Sequence, residues 1–322
     1  MMTSVQAISH DASMTALLRI VLVGGIAGYV AWAWRAVSAG AAVLPWVVAA
    51  PFVYLAIPAL TSSFWFVLAW WWRTPRPAEA QLGFGGSLRL WVGEVLAIAA
   101  SIPLLAFHRS FVRDPAPAQS SEPIILVHGL VCNQGIWFSL KRFLASRGVG
   151  PAYSLSYGPP FASIEIFAAQ LAAKIDAVLE ETGAQQVTLV AHSMGGLVSR
   201  AYLRRYGSAR VARLVTVGTP HRGSMLAWVL GGESVSQLRP QCEWLGELNL
   251  PTQPLAVPTT AIWSRHDNMV APQVNAMLEG AENIAVVGIG HNALLYDRSV
   301  HELVLARLPQ RQGSSVPVAS AA

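Results

Sequence analysis

Charge is scarce in this chain of 322 residues: Asp, Glu, Lys and Arg make up 12% of it, and hydrophobic residues 53%. Soluble globular domains carry about a quarter charged residues, so an ordinary water-soluble composition is excluded for the chain as a whole. Cysteine is limited to Cys132 and Cys242. That excludes a disulfide scaffold and leaves open a single bridge, should the domain lie in an oxidising compartment. Lysine is nearly missing, with Lys141 and Lys174 against 20 arginines. No recognisable eukaryotic sorting signal accompanies this bias, and together they point to a bacterial source. There is no internal repeat, no H-E-x-x-H, no glycine-rich phosphate loop and no Cys/His zinc array, so no motif calls for a metal or an organic cofactor. The formal charge of +5 is not a nucleic-acid footprint, because the excess is spread along the chain. The cluster Arg200, Arg204, Arg205, Arg210 and Arg213 is expected to be a solvated helix face.

The apolar excess is local. Before Ala116 there are seven arginines, four acids, no lysine, and eight of the 12 tryptophans. Leu17 to Val37 is long enough to span a bilayer, with Arg19 and Arg35 near its ends. Ala41 to Trp72 is uncharged and ends in WWWR, the aromatic and basic pattern of a headgroup boundary. Its length of roughly 48 Å as a helix suits one span, kinked or begun late at Pro45, Pro51 and Pro58. Leu88 to Phe107 is a third span, with Glu94 inside it; that acid lies near enough to the segment's start to reach toward the interface. The first ten residues hold no basic charge and two more apolar segments follow, which argues against a cleaved signal peptide. The arginine bias across three spans places the N-terminus in the cytoplasm and the following domain on the non-cytoplasmic side of an inner membrane. The expected organisation is a helical membrane region over 1–112, a proline-rich linker over 113–122 (RDPAPAQSSE), a folded domain over 123–308 and a disordered tail over 309–322.

In the folded domain, strands expected at IILVHG, near GPAYSLSYG, and at QVTLVA, ARLVTVG, PTTAIWS and ENIAVVGIG alternate with helical segments, the pattern of a mostly parallel α/β sheet. Ligands in such sheets bind beyond the carboxyl ends of the strands, so chemistry is sought there. The run VTLVAHSMGG passes from a buried strand into a helix, with Ser193 on the turn between them. Small residues stand two before and two after it, Ala191 and Gly195, as a sharp strand-to-helix turn requires. This resembles the nucleophile elbow of the α/β-hydrolase family, with alanine in place of the usual first glycine, and AHSMGG is similar to the elbow of small bacterial lipases. VHGLVC resembles the family's oxyanion segment. That resemblance assigns the oxyanion donors to the N–H groups of Leu130 and Met194, and makes His128 structural.

The family's order Ser, Asp, His falls on Ser193, on Asp267 in WSRHDNMV and on His291 in GIGHNALLYD. Glu243, Glu247 and Asp297 are other acids, and His221 and His266 other histidines, none as well placed after a strand. His221 lies in GTPHRGS, which resembles a post-strand motif of bacterial lipases in which the histidine is not the base. An insertion near 221–258, rich in tryptophan and leucine, serves as a cap or lid over an acyl pocket or as plain core packing. The resemblance, which covers about Pro123 to Leu308 and does not reach the apolar segments, implies a serine carboxylic-ester hydrolase of the lipase or esterase type, with an acyl ester or lipid as substrate and no cofactor; the three expected spans make it a membrane-anchored one. An acyltransferase or thioesterase with the same triad, or a membrane binding or transport-accessory protein with an inactive hydrolase domain, are the alternatives.

Overall fold

The structure is a computed structural model and describes residues 4–116, 119–250 and 255–309. Apart from its first residue, the expected tail lies outside the described residues. The chain begins with three long helices, α1 (Ser4–Ser38), α2 (Leu44–Trp71) and α3 (Phe84–Ala106). By length and composition all three could cross a membrane, over Thr15–Ser38, Leu44–Trp71 and Phe84–Ala106. Helix α2 runs through Pro51 and Pro58 without ending. Pro45 stands in its first turn, where a missing N–H leaves no hydrogen bond unmade.

After the short α4 (His108–Phe111), six strands alternate with helices: β1 (Ile124–Val127), α5 (Phe138–Ser146), β2 (Ala152–Leu155), α6 (Ile164–Thr182), β3 (Val187–His192), α7 (Met194–Tyr206) and β4 (Val211–Val217). The rest is α8 (Glu233–Ser236), α9 (Glu243–Leu248), β5 (Thr259–Ser264), β6 (Glu282–Val286) and α10 (Arg298–Leu305). All six expected strands form. They make one sheet in the order β2-β1-β3-β4-β5-β6, with every pair parallel. Strands β1, β3 and β5 are buried along their whole length, which is why they read as unbroken apolar runs and not as alternation.

Two apolar layers cover the sheet. Alternate residues of β1 divide between them: Ile125 and Val127 join α6 and α7, through Phe167, Leu171, Ile175, Leu197 and Val198. Ile124 and Leu126 face the other way, toward Leu140 and Leu144 of α5 and Val300 and Val304 of α10. Local chemistry sets the helix ends. The Ser163 side chain caps α6, Gly183 closes it with φ 71°, and Asp297 caps α10 through the N–H groups of Ser299 and Val300.

The cysteines belong to opposite layers, Cys132 packing with the α5 side and Cys242 with the α6 side, and both are free thiols. The sheet between them answers the open question of a bridge. The expected solvated helix face holds for Arg204 and Arg205 and is corrected elsewhere: Arg210 lies beyond α7 in the turn before β4, and Arg213 stands half-buried on β4. Arg200 is buried, donating to the Leu248 carbonyl at 2.8 Å and to Asn249 Oδ1 at 2.9 Å, so it ties α7 to the end of α9. Glu94 is also not where its spacing suggested: it is fully buried against the domain that follows the helices.

Candidate active site

The carboxyl ends of β1, β3, β5 and β6 lie on one rim of the sheet, and the expected residues follow them: Leu130 after β1, Ser193 and Met194 after β3, Asp267 after β5 and His291 after β6. Ser193 follows β3 with φ 55° and ψ −130°, a backbone conformation disfavoured for a residue with a side chain. The turn is held by the Ser193 N–H donating to the Val217 carbonyl at 2.9 Å and by Thr219 Oγ1 donating to the Ser193 carbonyl at 2.8 Å. A β-carbon at Gly195 would collide with the carbonyl oxygens of Val127 and His128, so the elbow closes on β1 only because that position is glycine. Strain of this kind persists where the surroundings over-determine it, and it holds a side chain where rotamers alone would not.

His291 and Asp267, 24 residues apart in sequence, meet as a pair. His291 Nδ1 lies 2.8 Å from Asp267 Oδ2 and 3.0 Å from Oδ1. The carboxylate is itself fixed, since Oδ1 accepts from the N–H groups of Met269 at 2.7 Å and Val270 at 2.8 Å. Burial works against a charged His291, but the Asp267 charge and hydrogen bond, with a further contribution from Glu94, outweigh it and raise its pKa above the ordinary 6.5. Nδ1–H donates to the carboxylate, which leaves Nε2 as the free basic nitrogen. Among the described residues the Ser193 hydroxyl makes no hydrogen bond, to His291 or to any other group. Such catalytic contacts commonly tighten only when substrate binds.

The backbone around the serine is rich in unused donors. Among the described residues neither the Leu130 nor the Met194 N–H has a hydrogen-bond partner. Met194 opens α7, where the helix dipole favours negative charge. Leu130 follows Gly129, whose α-carbon packs so closely on the elbow that a β-carbon there would sit 2.8 Å from Ser193 Cβ.

His128, His221 and His266 have structural surroundings. His128 stacks on Tyr157 with ring centroids 4.0 Å apart, and its Nδ1 donates to the Gly129 carbonyl at 2.8 Å. Burial pushes its pKa down to about 4, so it stays neutral. His221 is buried with Nε2 at 3.0 Å from Thr216 Oγ1, and His266 accepts from the Gly288 N–H at 3.1 Å. Burial lowers the pKa of both. Neither contacts Ser193 or Asp267 as a base would need, and Glu243, Glu247 and Asp297 do not pair with His291.

Three side chains that motif reading passed over hold the histidine loop. Asn268 Oδ1 accepts from the His291 N–H at 2.9 Å, and His192 Nε2 donates to the His291 carbonyl at 3.2 Å. Burial holds the His192 pKa well below 6.5, so it does so as a neutral ring. Glu94, from α3, holds the residues that follow. The sequence signal for Glu94 is an acid in a largely apolar helix, and nothing in its neighbours names its partner. Helices α2 and α3 also close over the acid's far side, where a cavity of about 270 Å³ is lined by Phe66, Trp70, Leu90, Trp91, His266 and Asp267 among others. Among the described residues no three His, Cys, Asp or Glu side chains converge as a metal site would need.

Part of the insertion is core packing. Leu226, Val235, Leu238 and Leu245 are buried, and Leu226 packs on Ala69 of α2. Trp228, Val229 and Leu230 instead lie exposed side by side, as an apolar patch.

Comparison with known proteins agrees with this architecture. Residues 122–241 match a family described as the alpha/beta hydrolase fold. A triacylglycerol lipase of Burkholderia plantarii is 33% identical over 150 residues, covering 42% of this chain and 40% of the lipase. A triacylglycerol lipase of Pseudarthrobacter phenanthrenivorans is 35% identical over 122 residues, covering 34% of this chain and 36% of that one. The chain thus spans about two fifths of the length of the curated relatives it matches. The mature Bacillus licheniformis lipase BlEst2 superposes with a TM-score of 0.53 at 21% identity, covering 61% of this chain and 95% of that chain, a likeness of fold. The family match includes Ser193 and ends before Asp267 and His291.

Proposed function

We propose that the chain carries an α/β-hydrolase domain and is a membrane-anchored carboxylic-ester hydrolase of the lipase or esterase type, working through Ser193, His291, Asp267 and an acyl-enzyme. The observation that carries the reading is the buried His291–Asp267 pair on the same sheet rim as the strained Ser193 turn. Serine is a poor nucleophile at neutral pH. As its oxygen attacks the ester carbonyl carbon, His291 Nε2 takes the hydroxyl proton and Asp267 stabilises the imidazolium. The carbonyl π-electrons move onto oxygen, and the free N–H groups of Leu130 and Met194 are the donors that receive that charge. When the C–O bond to the alcohol breaks, His291 returns the proton to the departing oxygen. Water then repeats the sequence on the acyl-serine, releasing the acid and restoring the hydroxyl.

The substrate class follows from two apolar surfaces. Helices α1 and α2 expose Leu17, Ile20, Val30, Leu44, Phe52 and Leu60, as lipid-facing helices do. The Trp228–Leu230 patch of the insertion is apolar and exposed. Both suit apolar acyl esters held at a bilayer, and the arginine bias across the spans favours a hydrolase on the non-cytoplasmic side. A fluorophosphonate probe tests the chemistry: it should label the wild-type protein at Ser193 and leave Ser193→Ala unlabelled, and labelling at another serine rejects the assignment. An alkaline phosphatase fused after Arg113 should be active; an inactive fusion there reverses the orientation.

A further inference from the structure

A fully buried carboxylate stands midway along α3, with every hydrogen bond it makes directed at the loop that carries the proposed catalytic base. Glu94 Oε1 accepts from the Asn292 N–H at 3.1 Å and from Asn292 Nδ2 at 2.8 Å; Oε2 accepts from the Ala293 N–H at 3.0 Å. On the other side of the histidine, Gly290 lies so close to Oε2 that a β-carbon there would overlap it. One side chain therefore clasps the residues before and after His291, and it comes from nearly 200 positions earlier in the chain. Ser101, seven residues further along α3, makes a second tie: its hydroxyl lies 2.7 Å from Tyr296 Oη, beyond the same loop.

Stability alone is a weak reason for this arrangement. Taking a carboxylate out of water costs several kcal/mol, and a well-packed apolar side chain at such a position is often no worse. Among the described residues no arginine or lysine pairs with Glu94 to offset that cost. What the carboxylate has that an apolar residue lacks is two oxygens that fix two successive N–H groups, and a negative charge beside an imidazole.

We propose that Glu94 is a positioning residue of the active site, holding the Gly290–Ala293 loop from α3 so that the His291 ring stays aligned between Asp267 and Ser193. The proposal rests on the triad reading above. It makes α3 part of the catalytic apparatus as well as an apolar helix, because the base is oriented from three directions: Asp267 after β5, His192 at the end of β3 and Glu94 on α3. Among the described residues those three are also the titratable groups that face His291. His192 is neutral, so the two carboxylates are the charges that favour the imidazolium formed when the serine gives up its proton.

The test compares wild type, Glu94→Gln, Glu94→Asp and Asn292→Ala as full-length proteins in detergent micelles. The measurements are kcat and KM against pH on a soluble ester, the rate of fluorophosphonate labelling, and thermal unfolding. Gln keeps the size, loses the charge and turns one acceptor into a donor facing an N–H. It should lower kcat about 10- to 100-fold with KM within about twofold, and move the acidic limb of the profile to lower pH. Asp keeps the charge, so its limb should stay near that of wild type while kcat falls partway. Asn292→Ala, which removes one of the three donors, should cost kcat severalfold and serves if Glu94→Gln does not fold. A Glu94→Gln protein with wild-type kcat and limb overturns the proposal. So does a loss of kcat explained wholly by a lower unfolding temperature with the limb unmoved, or Asn292→Ala with wild-type kinetics when Glu94→Gln is unfolded. Wild-type labelling at Ser193 with these negative results rejects Glu94 alone; failure of wild type to label there rejects the triad and this proposal with it.

Discussion

The two halves of the molecule use apolar residues in opposite ways. In the α/β domain they are turned inward, and Ile125, Leu126, Val127, Leu189 and Val190 are wholly inaccessible. In α1 and α2 residues of the same types point outward, with Ile20 68% and Leu60 71% exposed. Water drives the first arrangement by the hydrophobic effect. The second is stable only where the surroundings are themselves apolar, as lipid chains are. Helix α3 belongs to both halves: it packs on α1 and α2, yet Val95, Ala99 and Leu104 are buried and Asn133 reaches across from the domain to donate to its Leu105 carbonyl at 3.0 Å. Apolar length marks a helix as able to cross a membrane, and the distribution of exposure shows what else it touches.

The comparison is sharpened first by variants that act on one half only. His291→Ala should reduce ester turnover by roughly five to six orders of magnitude while leaving the protein in the membrane fraction, because the loss is confined to the reaction. A drop of tenfold or less in kcat would mean that another group serves as the base. Asp267→Asn should lower kcat by about four orders of magnitude and move the acidic limb of kcat/KM downward. The sign follows from the wild-type balance: the Asp267 charge and hydrogen bond raise the His291 pKa, so the neutral, basic form prevails only above a pH higher than 6.5, and losing the charge lowers that point. An unmoved limb would remove Asp267 as the partner that sets it. The smallest effect is expected in the other half. Ile57→Asp, at an exposed position in the middle of α2, should weaken membrane insertion by about 3–4 kcal/mol. Fractionation should show less protein in the membrane, with kcat on a soluble ester within about twofold of wild type. Unchanged fractionation would deny α2 a lipid-facing role.

Much of the domain was legible because its signals are local. A buried parallel strand is apolar along its whole length, so β3 and β5 announce themselves in VTLVA and TTAIW without reference to the rest of the chain. The elbow at Ser193 was legible for the same reason, since the small residues it demands stand two positions away. What the local pattern could not supply was the direction in which a side chain points once the chain is folded. Arg200 shares helical spacing with Arg204 and was expected beside it in solvent, but α9 covers it, and the cover is made 48 residues later.

The sequence by itself determined the elements, their order, the small residues at the turn and the chemical groups at the strand ends. Each of these depends on neighbours within a few positions, through φ/ψ sterics, apolar periodicity and capping. Only the tertiary structure decided that His291 meets Asp267, that the sheet separates Cys132 from Cys242, and that Glu94 grips Asn292 and Ala293 and not the membrane interface. Those outcomes depend on which surfaces bury one another. A hydrogen bond between residues 198 apart leaves no periodic trace at either end, because its partners are brought together by the packing of every element between them.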